Sequence, residues 1–120
     1  MSKLILTVDD SASIRKMMGF TLRNAGYDVL EAHNGKEALE KLCKPVALVV
    51  TDLNMPAMNG IELVKALRSH TEFRFIPVLM LFTRAQLARK QEALTAGASA
   101  WLAKPFKPER LVDVVRSLAG

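Results

Sequence analysis

The chain has 120 residues, 50% apolar and 24% charged, an ordinary globular make-up with material for one core and not two. Its 17 Lys and Arg against 12 Asp and Glu give a formal charge of +5. A single cysteine, Cys43, excludes an internal disulfide and fits a reducing, cytoplasmic setting. No apolar run approaches the roughly 18 residues of a membrane span, and Asp9-Asp10 comes too early for a secretory leader. The basic residues are scattered (Arg15, Lys16, Lys36, Lys41, Lys44, Lys107, Arg116), so they read as solvated helix faces. Only the segment from Arg84 to Lys90 is strongly one-signed. Nucleic-acid binding would rest on net charge alone and is not expected.

In chain order, Leu4 to Val8 make a short apolar strand that ends in Asp9-Asp10. Ser11 or Ser13 caps the helix that follows, with Ile14, Met17, Met18, Thr21 and Leu22 at helical spacing and Gly26 as its stop. Val29 and Leu30 suit a second strand, Asn34-Gly35 a turn, and residues 36–43 a helix ended by Pro45. The run over 46–50 does not alternate, so it predicts a strand buried on both faces, reaching Asp52. A third helix covers 60–69, a fourth buried strand 78–83, and a fourth helix 86–96, stopped by Gly97. A brief strand over 100–102 precedes a last helix that Pro108 opens. Five strands alternating with five helices predict an α/β fold with a doubly wound parallel sheet in the order 2-1-3-4-5, over one domain, 1–120.

In that order the first and third strands are neighbours. The crevice at their carboxyl ends is where open α/β sheets bind ligands, and Asp9, Asp10 and Asp52 all fall there. Like charges packed together need neutralising, and three hard-oxygen donors suit Mg²⁺. No His or Cys falls near enough for a zinc site; His33 and His70 read as surface residues. A strand-end carboxylate beside Mg²⁺ suits phosphoryl transfer, with Asp as nucleophile and an acyl phosphate as product. Lys104-Pro105, past the fifth strand, is placed to supply a cation, and the Lys-Pro bond is a candidate for the cis form.

Over essentially its whole length the chain resembles the receiver domain of two-component response regulators, above all the single-domain, CheY-like chemotaxis type. The residues that carry the resemblance are Val8-Asp9-Asp10-Ser11, Thr51-Asp52-Leu53-Asn54-Met55-Pro56 with Gly60, Pro77, Ala96-Gly97-Ala98, Trp101 and Lys104-Pro105-Phe106. The resemblance implies that Asp52 accepts a phosphoryl group from a histidine kinase of the CheA-like kind. Asp10 chiefly, with Asp9, Asp52 and the backbone carbonyl of Asn54, would hold Mg²⁺, and Lys104 would pair with the phosphoryl oxygens. Trp101 matches the aromatic whose rotamer reports activation. A downstream protein would read the face made by the fourth strand, fourth helix, fifth strand and fifth helix. The expected state is a monomer that is no enzyme beyond its own Mg²⁺-dependent phosphorylation and autodephosphorylation.

One position departs from the family pattern. The family's switch hydroxyl, a Thr or Ser, ends the fourth strand, and the spacings from Pro77, Gly60 and Lys104 all place it at residue 82, which is Phe82. Phenylalanine donates no hydrogen bond and is much larger. Thr83 would face the other way on an alternating strand. Phe82 is therefore expected to weaken or fix the switch, by taking the space Trp101 would enter. The alternative function is a pseudo-receiver, an interaction module whose output no longer depends on phosphorylation. An Asp-nucleophile phosphatase would want an acid where Asn54 stands, and a dinucleotide-binding domain a Gly-rich turn in place of Asp9-Asp10-Ser11-Ala12-Ser13.

Overall fold

The computed structural model describes residues 3–120. The apolar runs become strands β1 (Leu4–Val8), β2 (Asp28–Ala32), β3 (Leu48–Asp52), β4 (Val78–Phe82) and β5 (Ala100–Ala103), all parallel, in the order β2-β1-β3-β4-β5. Helices α1 (Ala12–Asn24), α2 (Gly35–Lys41), α3 (Gly60–Ser69), α4 (Lys90–Ala96) and α5 (Pro108–Ala119) connect or follow them. Every residue of β3 and β4 is buried, as expected of central strands covered on both sides.

Strand alternation divides the core into two layers. Leu6, Val8, Val49, Met80 and Phe82 pack under α2, α3 and α4 with Ala38, Leu63, Val64 and Ala93. Ile5, Val50, Leu79 and Leu81 face the opposite way, onto Met18 and Leu22 of α1 and Leu111 and Val115 of α5. Caps fix where the helices begin. Ser11 Oγ accepts from the Ile14 N–H at 3.3 Å, and Asn34 Oδ1 from the Glu37 N–H at 2.8 Å. Asn59 and Glu62 exchange side chain and backbone in a reciprocal capping box, at 2.8 and 3.0 Å.

The differences from expectation lie at element ends. The third strand starts at Leu48 and not at Val46, although the Ala47 N–H already bonds the Leu4 carbonyl at 2.8 Å and the two chains run side by side there. The fourth strand stops at Phe82, leaving Thr83 exposed and outside it. The expected single fourth helix is two pieces, a 3-10 segment, Arg84–Arg89, and then α4. Gln86 closes the first turn tightly, its Oε1 accepting from the Thr83 N–H at 2.9 Å and its own N–H donating to the Thr83 carbonyl at 3.0 Å. No residue of the 3-10 segment is fully buried, and only Leu87, half-buried, packs against the core there; the first fully buried side chain after β4 is Ala93 of α4.

Candidate functional site

Three strand ends converge on one crevice. Asp9 and Asp10 follow β1, Asp52 is the last residue of β3, and Lys104 follows β5. One carboxylate oxygen from each of Asp9, Asp10 and Asp52 lies within 4.8 Å of the others. Their exposures differ: Asp9 is 1% and Asp52 6% exposed, whereas Asp10 is open to solvent. Lys104 spans the crevice, its Nζ 3.1 Å from Asp9 Oδ2 and 3.1 Å from Asp52 Oδ1. Its backbone N–H donates to the Phe82 carbonyl at 2.6 Å, and the Lys104-Pro105 bond is cis.

Burial, and after it the negative charge of Asp9, pushes the Asp52 carboxyl above its ordinary range against the opposing pull of Lys104. Burial by itself would lower the Lys104 ammonium, but the carboxylates of Asp52 and Asp9 outweigh it and hold its pKa above the usual value. Asp9 is fully engaged. Its Oδ1 accepts from the Ser11 N–H at 2.9 Å, its N–H donates to the Ala32 carbonyl at 3.1 Å, and its carbonyl accepts from Arg15 Nη1 at 2.6 Å.

The loop after Asp52 is pressed onto the strand end. The Gly60 N–H donates to the Leu53 carbonyl at 2.8 Å, and a Cβ at residue 60 would collide with the Asp52 carbonyl and with Met80 Sδ, so only glycine admits this approach. Asn54 is exposed and shares with Asp10, Met55, Asn59 and Glu62 the wall of a cleft of about 470 Å³. Ala57, at the tip, takes the left-handed conformation with φ 69°.

Phe82 is wholly buried on the α3–α4 side of the sheet. Its ring meets Trp101, which is 37% exposed, edge to face at 6.5 Å and 70°. The Lys90 ammonium lies 4.7 Å from the Trp101 ring centroid. His33 and His70 stand on the surface, His33 beside Glu37 and His70 stacked on Phe73. Sequence reasoning placed Arg15 on a solvated helix face and did not foresee the Lys104–Asp9 bridge; only 20% of the Arg15 side chain is in fact exposed, and neither contact has a spacing signal, because both arise from side chains crossing between elements.

The donor set fits a hard divalent cation. All its atoms are carboxylate or carbonyl oxygens, and an ammonium is already lodged between two of the carboxylates, so the crevice is arranged around positive charge. Mg²⁺ suits these donors; a metal that prefers sulfur or imidazole does not.

A parallel 2-1-3-4-5 sheet with an acidic crevice at the β1/β3 switch point and a lysine after β5 defines a signalling receiver rather than a nucleotide-binding domain. Residues 5–116 match the response regulator receiver domain family, and the chain belongs to it. It is 42% identical to the chemotaxis protein CheY1 of Helicobacter pylori strain 26695, covering 97% of this chain and 96% of that protein. It is 40% identical to the CheY homologue of Campylobacter jejuni strain 81-176, covering 97% and 92%. Among solved structures, the chemotaxis response regulator CheY4 of Vibrio cholerae superposes with a TM-score of 0.91 at 44% identity, over 98% of this chain and 99% of that one. The receiver domain of the sensor histidine kinase PA1611 of Pseudomonas aeruginosa, 25% identical with a TM-score of 0.91 over 100% and 99% of the chains, carries a magnesium ion in its active-site cleft. The chain is thus a CheY-like receiver of the two-component signalling class.

Proposed function

We propose that this receiver takes a phosphoryl group on Asp52 from a histidine kinase, in a reaction that needs Mg²⁺, and passes the signal to a protein partner. The observation that carries this reading is the placement of Asp52, nearly buried at the end of β3, within one crevice with Asp9, Asp10 and Lys104. An Asp52 carboxylate oxygen attacks phosphorus. The new P–O bond forms as the P–N bond to the donor imidazole breaks, and the electron pair returns to that ring. Lys104, released from its bond to Asp52 Oδ1, is positioned to meet the charge of the transferred oxygens. Asp10, Asp9, Asp52 and the Asn54 carbonyl would hold Mg²⁺, which would supply charge neutralisation at phosphorus. Attack of water on the same phosphorus would restore Asp52, so the chain turns over only its own acyl phosphate.

The partner face is that of β4, α4, β5 and α5, where Trp101, Pro105, Phe106, Lys107 and Arg110 bound a groove of about 610 Å³. Phe82 favours a second reading for the output step alone, in which that face is presented without reference to phosphorylation. Intact-mass measurement after incubation with acetyl phosphate and Mg²⁺ tests the chemistry. One added phosphoryl group, absent from Asp52→Asn and from samples with EDTA, is the expected result. No adduct, together with no binding of beryllofluoride, would overturn the acceptor reading and leave the interaction module.

A further inference from the structure

Asp10 is the exposed carboxylate of the crevice, and its direction is set by the peptide that joins it to Asp9. The carbonyl of that peptide accepts from Arg15 Nη1 at 2.6 Å. Arg15 is aimed in turn by Glu31 of β2, whose Oε1 lies 3.6 Å from Arg15 Nε, with 20% of the Arg15 side chain exposed. Glu31 has its own restraints, Arg23 at 3.6 Å on the other carboxylate oxygen and Lys41 on its backbone carbonyl at 2.6 Å. A relay from β2 through α1 thus grips the Asp9–Asp10 junction.

We propose that Arg15 is a positioning residue for the metal site: it fixes the Asp9–Asp10 peptide so that Asp10 faces Asp52, and it raises Mg²⁺ affinity although it adds positive charge beside the crevice. This rests on the Mg²⁺ reading above. Electrostatics and positioning give opposite signs. A guanidinium near three carboxylates repels a divalent cation, so a residue acting by charge alone would weaken Mg²⁺ binding and its loss would tighten it. A residue acting by geometry does the reverse, since partners that orient metal ligands typically contribute about 10- to 100-fold to affinity. The guanidinium fork reaches the carbonyl and the carboxylate together; the single ammonium of a lysine does not hold both in that plane.

The test is a Mg²⁺ titration followed by amide chemical shifts for the parent, Arg15→Met, Arg15→Lys and Glu31→Gln, with thermal melts in EDTA to show that each is folded. Arg15→Met should bind Mg²⁺ about 10-fold more weakly, with Arg15→Lys in between and Glu31→Gln weakened despite its intact Arg15. Tighter binding by Arg15→Met, with Arg15→Lys equal to the parent, would overturn the proposal in favour of a charge effect. Should Arg15→Met not fold, unchanged affinity in both Arg15→Lys and Glu31→Gln would overturn it as well. A parent that binds no more Mg²⁺ than Asp10→Asn would instead sink the metal reading, and the role of Arg15 with it.

Discussion

The Phe82 ring stands edge to face against Trp101, centroids 6.5 Å apart and planes at 70°. Phe82 has no exposed surface while Trp101 keeps 37% of its own, so the Phe82 ring is the buried member of the pair and the indole the one that solvent reaches. Phe82 thus meets Lys104 through its carbonyl and Trp101 through its ring, with a side chain that can pack but cannot donate a hydrogen bond.

Trp101 is the only tryptophan, so its emission reads this junction without interference. Beryllofluoride with Mg²⁺ should leave the acrylamide quenching of Trp101 unchanged in the parent and alter it in Phe82→Thr. That variant loses a buried ring and should be less stable by about 3 kcal/mol, so the comparison belongs at a temperature where both are folded. Equal responses in the two proteins would show that Phe82 does not obstruct the indole.

Asp52→Asn should be more stable than the parent at neutral pH. The folded-state pKa of Asp52 is raised, by burial and then by Asp9, so the folded protein holds that proton more tightly than the unfolded chain. Stability then falls as pH rises from the ordinary carboxylate range through the raised value. The variant escapes this loss, and its advantage in Tm should vanish in acid, where Asp52 is protonated in both states. A variant less stable than the parent at pH 7 would mean that the Lys104 bond outweighs burial and like charge.

Arg68 at the end of α3 holds three backbone carbonyls at once: Gly97 at 2.8 and 3.1 Å, Ile76 at 2.7 Å and Arg74 at 3.1 Å. Its side chain ties the start of β4 to the exit of α4. Arg68→Met keeps most of the stem but strands those acceptors, and urea unfolding should show a loss of about 2 kcal/mol, with Arg68→Lys recovering only part. A change below about 0.5 kcal/mol would mean that water replaces the guanidinium at no cost.

Ala57 adopts φ 69°, a conformation that costs a residue with a Cβ roughly 1 kcal/mol or more. Ala57→Gly should therefore stabilise the chain by up to about 1 kcal/mol, less the added entropy of glycine in the unfolded state. Thermal melts that place it below the parent would show that this loop does not carry the strain its backbone angle implies.

The central strands were legible because burial on both faces erases alternation, which makes runs such as Leu48 to Val50 and Val78 to Leu81 hard to mistake. Strand order then brought Asp9, Asp10, Asp52 and Lys104 together, since a parallel sheet delivers every carboxyl end to one side. What stayed hidden depends on side-chain reach. The Arg15 bond to the Asp9 carbonyl and the second bond of Lys104, to Asp9, join residues with no shared periodicity. The 3-10 geometry of Arg84–Arg89 was hidden for another reason, because propensity favours an α-helix there and the segment packs on the core only through the half-buried Leu87.

The uniform direction of the sheet also separates the molecule's chemistry from its tolerance to change. The segment 71–75, between α3 and β4, lies at the opposite end from Asp52, and Phe75 there is 83% exposed. A reporter or a second domain spliced into that turn would sit a full strand length from the acidic crevice. Such an insertion could tether the receiver to a surface or another protein while leaving the acidic crevice around Asp52 open.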